Sequence, residues 1–169
     1  MSVKDFVQQR RDVLIAMRRD FHMYPEPAWL EYRSAAKVAD TLISLGYDVA
    51  LGADVLDLDS RMGLPSDEVM KAAMDRAIEE HANPELVEKM GYGKTAIVAT
   101  MKFGGEGPVV AFRVDMDSND VIEAKEDNHV PAKGGFRSCH DKAMHACGHD
   151  GHMAILLGAA KMLMSMKDR

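Results

Sequence analysis

Apolar residues recur at helical spacing in several stretches of the chain, and the polar breaks between them carry proline, glycine and capping residues. Ser2 followed by Asp5 forms a capping-box pattern and predicts a helix running to about His22. Phe6, Val13, Leu14, Met17 and Phe21 give it one buried stripe. Tyr24-Pro25-Glu26-Pro27 ends it, because proline restricts both its own position and the preceding one. A second helix is predicted over residues 31–45, with Ala35, Ala39, Leu42 and Ile43 inward and Gly46 as its stop. Residues 47–51 read as a short strand. Residues 52–93 change character: Pro65-Ser66-Asp67-Glu68 starts a helix with Val69, Met70, Ala73, Met74, Ala77 and Ile78 on one face, and Asn83-Pro84 starts another that stops at Gly91. This is a helical insertion carried on the sheet. Residues 95–103 and 109–115 are β-branched and apolar around Gly104-Gly105-Glu106-Gly107, the signal of a hairpin. Residues 118–144 lack periodicity and read as a long loop; residues 153–166 form a closing apolar helix. The fold class expected is α/β, a mixed sheet with helices packed on it, its strand order open.

Composition narrows the function classes. The 169 residues suffice for one domain with a core, and 47% hydrophobic with 28% charged residues is ordinary for a globular protein. A net charge of −6 argues against nucleic acid and against an anionic membrane surface as partners. No apolar run approaches a membrane span, and the first residues lack the apolar core of a signal peptide. Two cysteines suit a reducing compartment rather than a disulfide framework, so a cytoplasmic location is expected. The 14 methionines fall mostly on apolar faces and read as core filler.

The densest chemistry lies in Met144-His145-Ala146-Cys147-Gly148-His149-Asp150-Gly151-His152. A thiolate, imidazoles and a carboxylate are the donors of zinc-like divalent ions. A lone histidine here would be a packing residue, but so many donors just before an apolar run point to metal. Cys147 and His149 are the candidate ligands, and Gly148 lets them converge from a tight turn. The second chemical stretch is Arg113-Val114-Asp115-Met116-Asp117, at the end of a predicted strand. There Asp115 is placed to orient His149 or a metal-bound water; equally, Asp115 and Asp117 cap a loop or pair with Arg113. The glycine-rich turn at 104–107 matches no phosphate-binding loop.

These segments, with Arg18-Arg19-Asp20-Phe21-His22, Pro25-Glu26, Leu45-Gly46-Tyr47 and Gly135-Phe136-Arg137-Ser138-Cys139, resemble in order the amidohydrolase branch of the cocatalytic zinc-peptidase family. That branch contains aminoacylase-like enzymes, hippurate hydrolases and auxin-conjugate hydrolases. Arg61-Met62-Gly63-Leu64-Pro65, the insertion after it and the wording of residues 112–117 resemble most the aminobenzoyl-glutamate hydrolases within it. The resemblance implies hydrolysis of an amide in an N-acyl amino acid by two divalent ions, zinc or manganese. It gives Cys147 and His149 as metal ligands and Asp115 as the catalytic carboxylate supporting them. His22 and Glu26 match a motif expected to be structural; His145, Asp150 and His152 belong to the signature without being expected to ligate.

The family commonly reads Met-Asp-Ala-Leu-Pro where this chain has Met116-Asp117-Ser118-Asn119-Asp120, so that loop is expected to be reshaped. On the family pattern a glutamate pair, later ligand histidines and a lid or dimerisation domain follow Arg169. The resemblance thus implies that residues 1–169 are the N-terminal part of a catalytic domain. Such a part holds half-sites, binds metal weakly, and has little activity without a complementary subunit or C-terminal half. Two alternatives stand beside it: a non-catalytic module with a structural zinc on Cys139, Cys147, His149 and His152, or a pseudoenzyme that pairs through a sheet edge or exposed face.

Overall fold

Ser2 opens the first helix as its spacing predicts. Its hydroxyl accepts from Asp5 N at 3.1 Å while the Asp5 carboxylate accepts from Ser2 N at 3.3 Å, so two donors left over at a helix start are satisfied reciprocally. In the computed structural model, which describes residues 2–104 and 106–167, the single helix expected here is two, α1 (Val3–Gln9) and α2 (Arg11–Met23). Arg10 leaves helical geometry at φ −114° and ψ 10°, and its guanidinium lies over the Phe6 ring at 4.0 Å. The break takes α2 out of phase with α1: Phe6 and Phe21 are buried, but Val13 of the predicted stripe is 58% exposed.

Helix α3 (Tyr32–Ser44) is the hub. Ala35, Ala36 and Ala39 face the insertion, where α4 (Asp67–Glu79) and α5 (Pro84–Met90) bring Ala73, Ala77, Val87 and Met90. Small residues on both sides let the helix axes approach. On the other flank, Val38 and Leu42 meet Phe21 of α2 and Met153, Leu157 and Ala160 of α7 (His149–Met164). Of the residues expected inward, Ile43, Val69 and Ile78 face solvent instead.

Glu26 explains how α3 starts. The helix has no capping side chain at Glu31; instead the buried Glu26 carboxylate accepts from Arg33 N at 2.9 Å and Ser34 N at 2.8 Å. An anion at orphaned donors of a helix N-terminus is favoured by both hydrogen bonding and the dipole. Arg33 in turn grips Asp20 through both guanidinium nitrogens at 3.0 Å each, locking α3 to α2.

Strand β1 (Asp48–Leu51) pairs antiparallel with β2 (Ile97–Thr100), Asp48 opposite Thr100 and Leu51 opposite Ile97. The insertion of α4 and α5 leaves the end of β1 and returns at the start of β2, hung on the sheet as expected. The class is α/β, with the sheet an antiparallel pair among the described residues. The predicted hairpin does not form: β2 takes β1 as its partner, and residues 109–115 are irregular. Val109 is 99% exposed and Phe112 65%. β-branched residues hold a strand only when paired along an edge and covered on a face, and no described element does either for them. Gly105 of the predicted turn lies outside the described residues.

The long loop is irregular as read, apart from the single turn α6 (Val130–Lys133), but it is pinned. Ser118 N donates to Glu26 O at 2.8 Å, and Asn119 exchanges backbone hydrogen bonds with Met144 at 2.9 and 3.0 Å. Those ties bring residues 115–119 beside the start of α7.

Candidate metal centre

Helix α7 begins at His149, earlier than its apolar run predicts, because Gly148 turns the chain into it. Gly148 sits at φ 86°, a left-handed conformation that disfavours any side chain. Cys147 before the turn is fixed by its backbone, whose N–H donates to Asn119 Oδ1 at 3.1 Å. His149 and His152, three apart on the first turn of α7, share one face, their rings stacked at 5.2 Å.

The His149 ring is oriented by the 115–119 segment. Its Nδ1 lies 2.8 Å from Asp117 O and 3.0 Å from Asp117 Oδ1. A carbonyl only accepts, so Nδ1 carries the proton and Nε2 the lone pair. Donor atoms of Asp115, His149 and His152 lie within 4.8 Å of one another. Asp115 also takes an ion pair from Arg113 at 2.8 Å, the pairing that its place beside Arg113 offered. Two imidazoles and a carboxylate, one imidazole held in the ligating tautomer by a carbonyl, fit a zinc-class ion.

Of the residues singled out by sequence, Asp115 and His149 are thus brought together. Cys147 is exposed and its sulfur is not part of that trio; His152, not expected to ligate, is. It is Asp117, not Asp115, that orients His149. The four-ligand structural zinc is not assembled: Cys139 groups with Glu80 and His140, apart from His149 and His152.

A buried ionic network underlies the turn. Asp150 accepts from Arg18 Nε at 2.8 Å and from Gly151 N at 2.7 Å, and lies 2.7 Å from His22 Nδ1. The other His22 nitrogen lies 2.9 Å from Glu123 Oε1, which also receives His129 Nε2 at 2.7 Å. Burial opposes charge on His22, but hydrogen bonds and attraction from Asp150 and Glu123 outweigh it and raise its pKa. Burial likewise opposes charge on the two carboxylates, yet His22 holds both below the usual range. His22 is therefore an imidazolium clamped between carboxylates of the long loop and of α7, the structural part expected for it. Glu123 carried no signal in the sequence: a lone glutamate in an aperiodic loop reads as solvated, and only the tertiary fold buries it. His145, beside the turn at Gly148, is 3% exposed with neither ring nitrogen hydrogen-bonded, and burial pushes its pKa down to about 4.

The profile of Peptidase family M20/M25/M40 matches residues 111–169, the segment that supplies Asp115, Cys147, His149 and His152. The chain is 45% identical to indole-3-acetyl-aspartic acid hydrolase of Enterobacter agglomerans over 99% of its own length and 38% of the relative's. It is 46% identical to one subunit of the p-aminobenzoyl-glutamate hydrolase of Escherichia coli K12, over 96% of this chain and 37% of that one. Among solved structures it is similar to an aminobenzoyl-glutamate utilization protein from Klebsiella pneumoniae (TM-score 0.78, 38% identity), covering 98% of this chain and 35% of the other. It is also similar to the Bacillus subtilis YXEP protein, a dinuclear metal-binding peptidase of the M20 family (TM-score 0.59, 25% identity), over 98% of this chain and 33% of that one. The chain spans little more than a third of the length of the curated relatives it matches.

Proposed function

We propose that this chain, which matches the N-terminal portion of M20-family amidohydrolases, supplies part of a metal-dependent centre that hydrolyses the amide of an N-acyl amino acid, aminobenzoyl-glutamate first among them. The observation that carries this reading is the convergence of Asp115, His149 and His152 donors within 4.8 Å, in a chain similar to a dinuclear metal-binding peptidase.

When bound, a pair of zinc or manganese ions supplies an acidified water and polarises the scissile carbonyl. The chain's own residues prepare the place. His149 presents Nε2 because Asp117 holds the proton on Nδ1; Asp115 and His152 add donors, and Cys147 offers a sulfur on the same turn. Gly148 directs the turn, and the His22–Asp150–Arg18 network fixes the first turn of α7 from beneath. The remaining ligands and the general base come from a complementary subunit or C-terminal region. Two free cysteines, one of them a ligand, suit the reducing cytoplasm in which we place the protein.

Co-expression with the remaining region of the E. coli aminobenzoyl-glutamate hydrolase relative tests the reading. Cleavage of aminobenzoyl-glutamate in zinc or manganese, abolished by His149→Ala, is the expected result. A soluble, associated pair that stays inactive with either metal overturns it.

A further inference from the structure

A second donor cluster lies outside this centre, where the helical insertion meets the long loop. Glu80, the C-cap of α4, and the neighbours Cys139 and His140 present a carboxylate oxygen, a sulfur and a ring nitrogen within 4.8 Å of one another. His140 Nδ1 lies 2.7 Å from Pro25 O. Since that carbonyl only accepts, the proton is on Nδ1, and the Nε2 position faces Glu80 Oε1 at 2.7 Å. Something positive must lie between a ring nitrogen and a carboxylate so close. A proton on the ring serves for those two atoms. It leaves unexplained the second Glu80 oxygen, which is buried without a hydrogen-bond partner.

The cluster is built rather than incidental. Cys139 N donates to Met23 O at 2.9 Å, and Ser138 and His140 exchange hydrogen bonds at 2.9 and 3.0 Å. Glu80 is held by its own backbone, whose carbonyl accepts from Arg33 Nε at 3.1 Å. Mixed sulfur, imidazole and carboxylate donors suit a borderline ion such as zinc, and a carbonyl on the distal imidazole nitrogen is the usual support of a ligating histidine.

We propose that Glu80, Cys139 and His140 form a structural zinc-class site, separate from the Asp115–His149–His152 centre, that clips the helical insertion to the loop leading into the metal-binding turn. On binding, the thiol and the imidazolium each release a proton to solvent, and the ion takes their place between nitrogen, sulfur and carboxylate. The spare Glu80 oxygen is the donor available for a fourth position.

Cobalt(II) as the probe, on the whole chain in a Cys147→Ser background, tests this without interference from the other thiol. The expected result is a thiolate-to-cobalt charge-transfer band that persists in C147S, disappears in C147S/C139S, and needs at least ten-fold more cobalt in C147S/E80Q. Cobalt should raise the melting temperature of C147S and leave that of C147S/C139S unmoved by this site. Cys139 is exposed, so serine there is not expected to disturb the fold, and circular dichroism checks it. A folded C147S protein without the band, or a band unchanged in both double variants, overturns the proposal. Failure of the main centre reads differently: wild type and His149→Ala would then bind the same number of ions.

Discussion

His22→Ala is the most informative single perturbation of the fold around the centre. His22 is 2% exposed and joins Asp150 at 2.7 Å to Glu123 at 2.9 Å. Removing one member of a buried ionic group typically costs about 3–5 kcal/mol, because the partners remain buried and uncompensated. Here each carboxylate keeps other partners, Arg18 and Gly151 N for Asp150 and His129 for Glu123. The lower end, about 3 kcal/mol, therefore applies. For a chain of this size that lowers the melting temperature by roughly 6–12 °C. Urea denaturation at pH 6 measures it directly. The raised His22 pKa sets the pH dependence: its contribution is fully present below the ordinary value of 6.5 and is lost as pH rises through the folded-state value. The gap between wild type and variant should narrow in alkali. A gap below about 1 kcal/mol at pH 6, or one that widens with pH, would refute the clamp.

Other residues give independent checks. Burial pushes the Glu31 carboxyl up to about 7, against a hydrogen bond from Thr95, so its stability contribution is present below its ordinary value of 4.5 and lost as pH rises through 7. Glu31→Gln should abolish that slope of about 3 kcal/mol and be the more stable protein at pH 8; thermal melts across pH 4–8 read it. Gly148→Ala meets no atom within 4 Å but is held at φ 86°, so it should cost about 1–2 kcal/mol of backbone strain in urea denaturation and weaken zinc binding. Asp117→Ala removes the carboxylate but not the backbone carbonyl from His149 Nδ1, and should weaken zinc binding about ten-fold, the low end for such support, by calorimetric titration.

What the sequence disclosed was local. The Ser2–Asp5 cap, the proline stop at residue 25, the helical insertion and the turn at Gly148 each rest on interactions between near neighbours, and each is present. The residues it missed act at long range. Glu123 becomes meaningful only when His22 is brought against it from 101 positions away, and Glu80 only when the insertion meets His140 from 60. The predicted hairpin failed for a related reason. Alternating β-branched residues state a willingness to pair, not the identity of the partner, and β1 claimed β2 across the insertion. The sequence pointed to Asp115 as the residue that orients His149; with Ser118 and Asn119 tied to Glu26 and Met144, it is Asp117 that lies against the ring.

Anomalous scattering from crystals of the chain soaked in zinc tests the main centre most directly. The expected result is a peak about 2.0–2.1 Å from His149 Nε2, with a carboxylate oxygen of Asp115 or the His152 ring as a second ligand. An ordered His149 side chain with no ion at saturating zinc would contradict it.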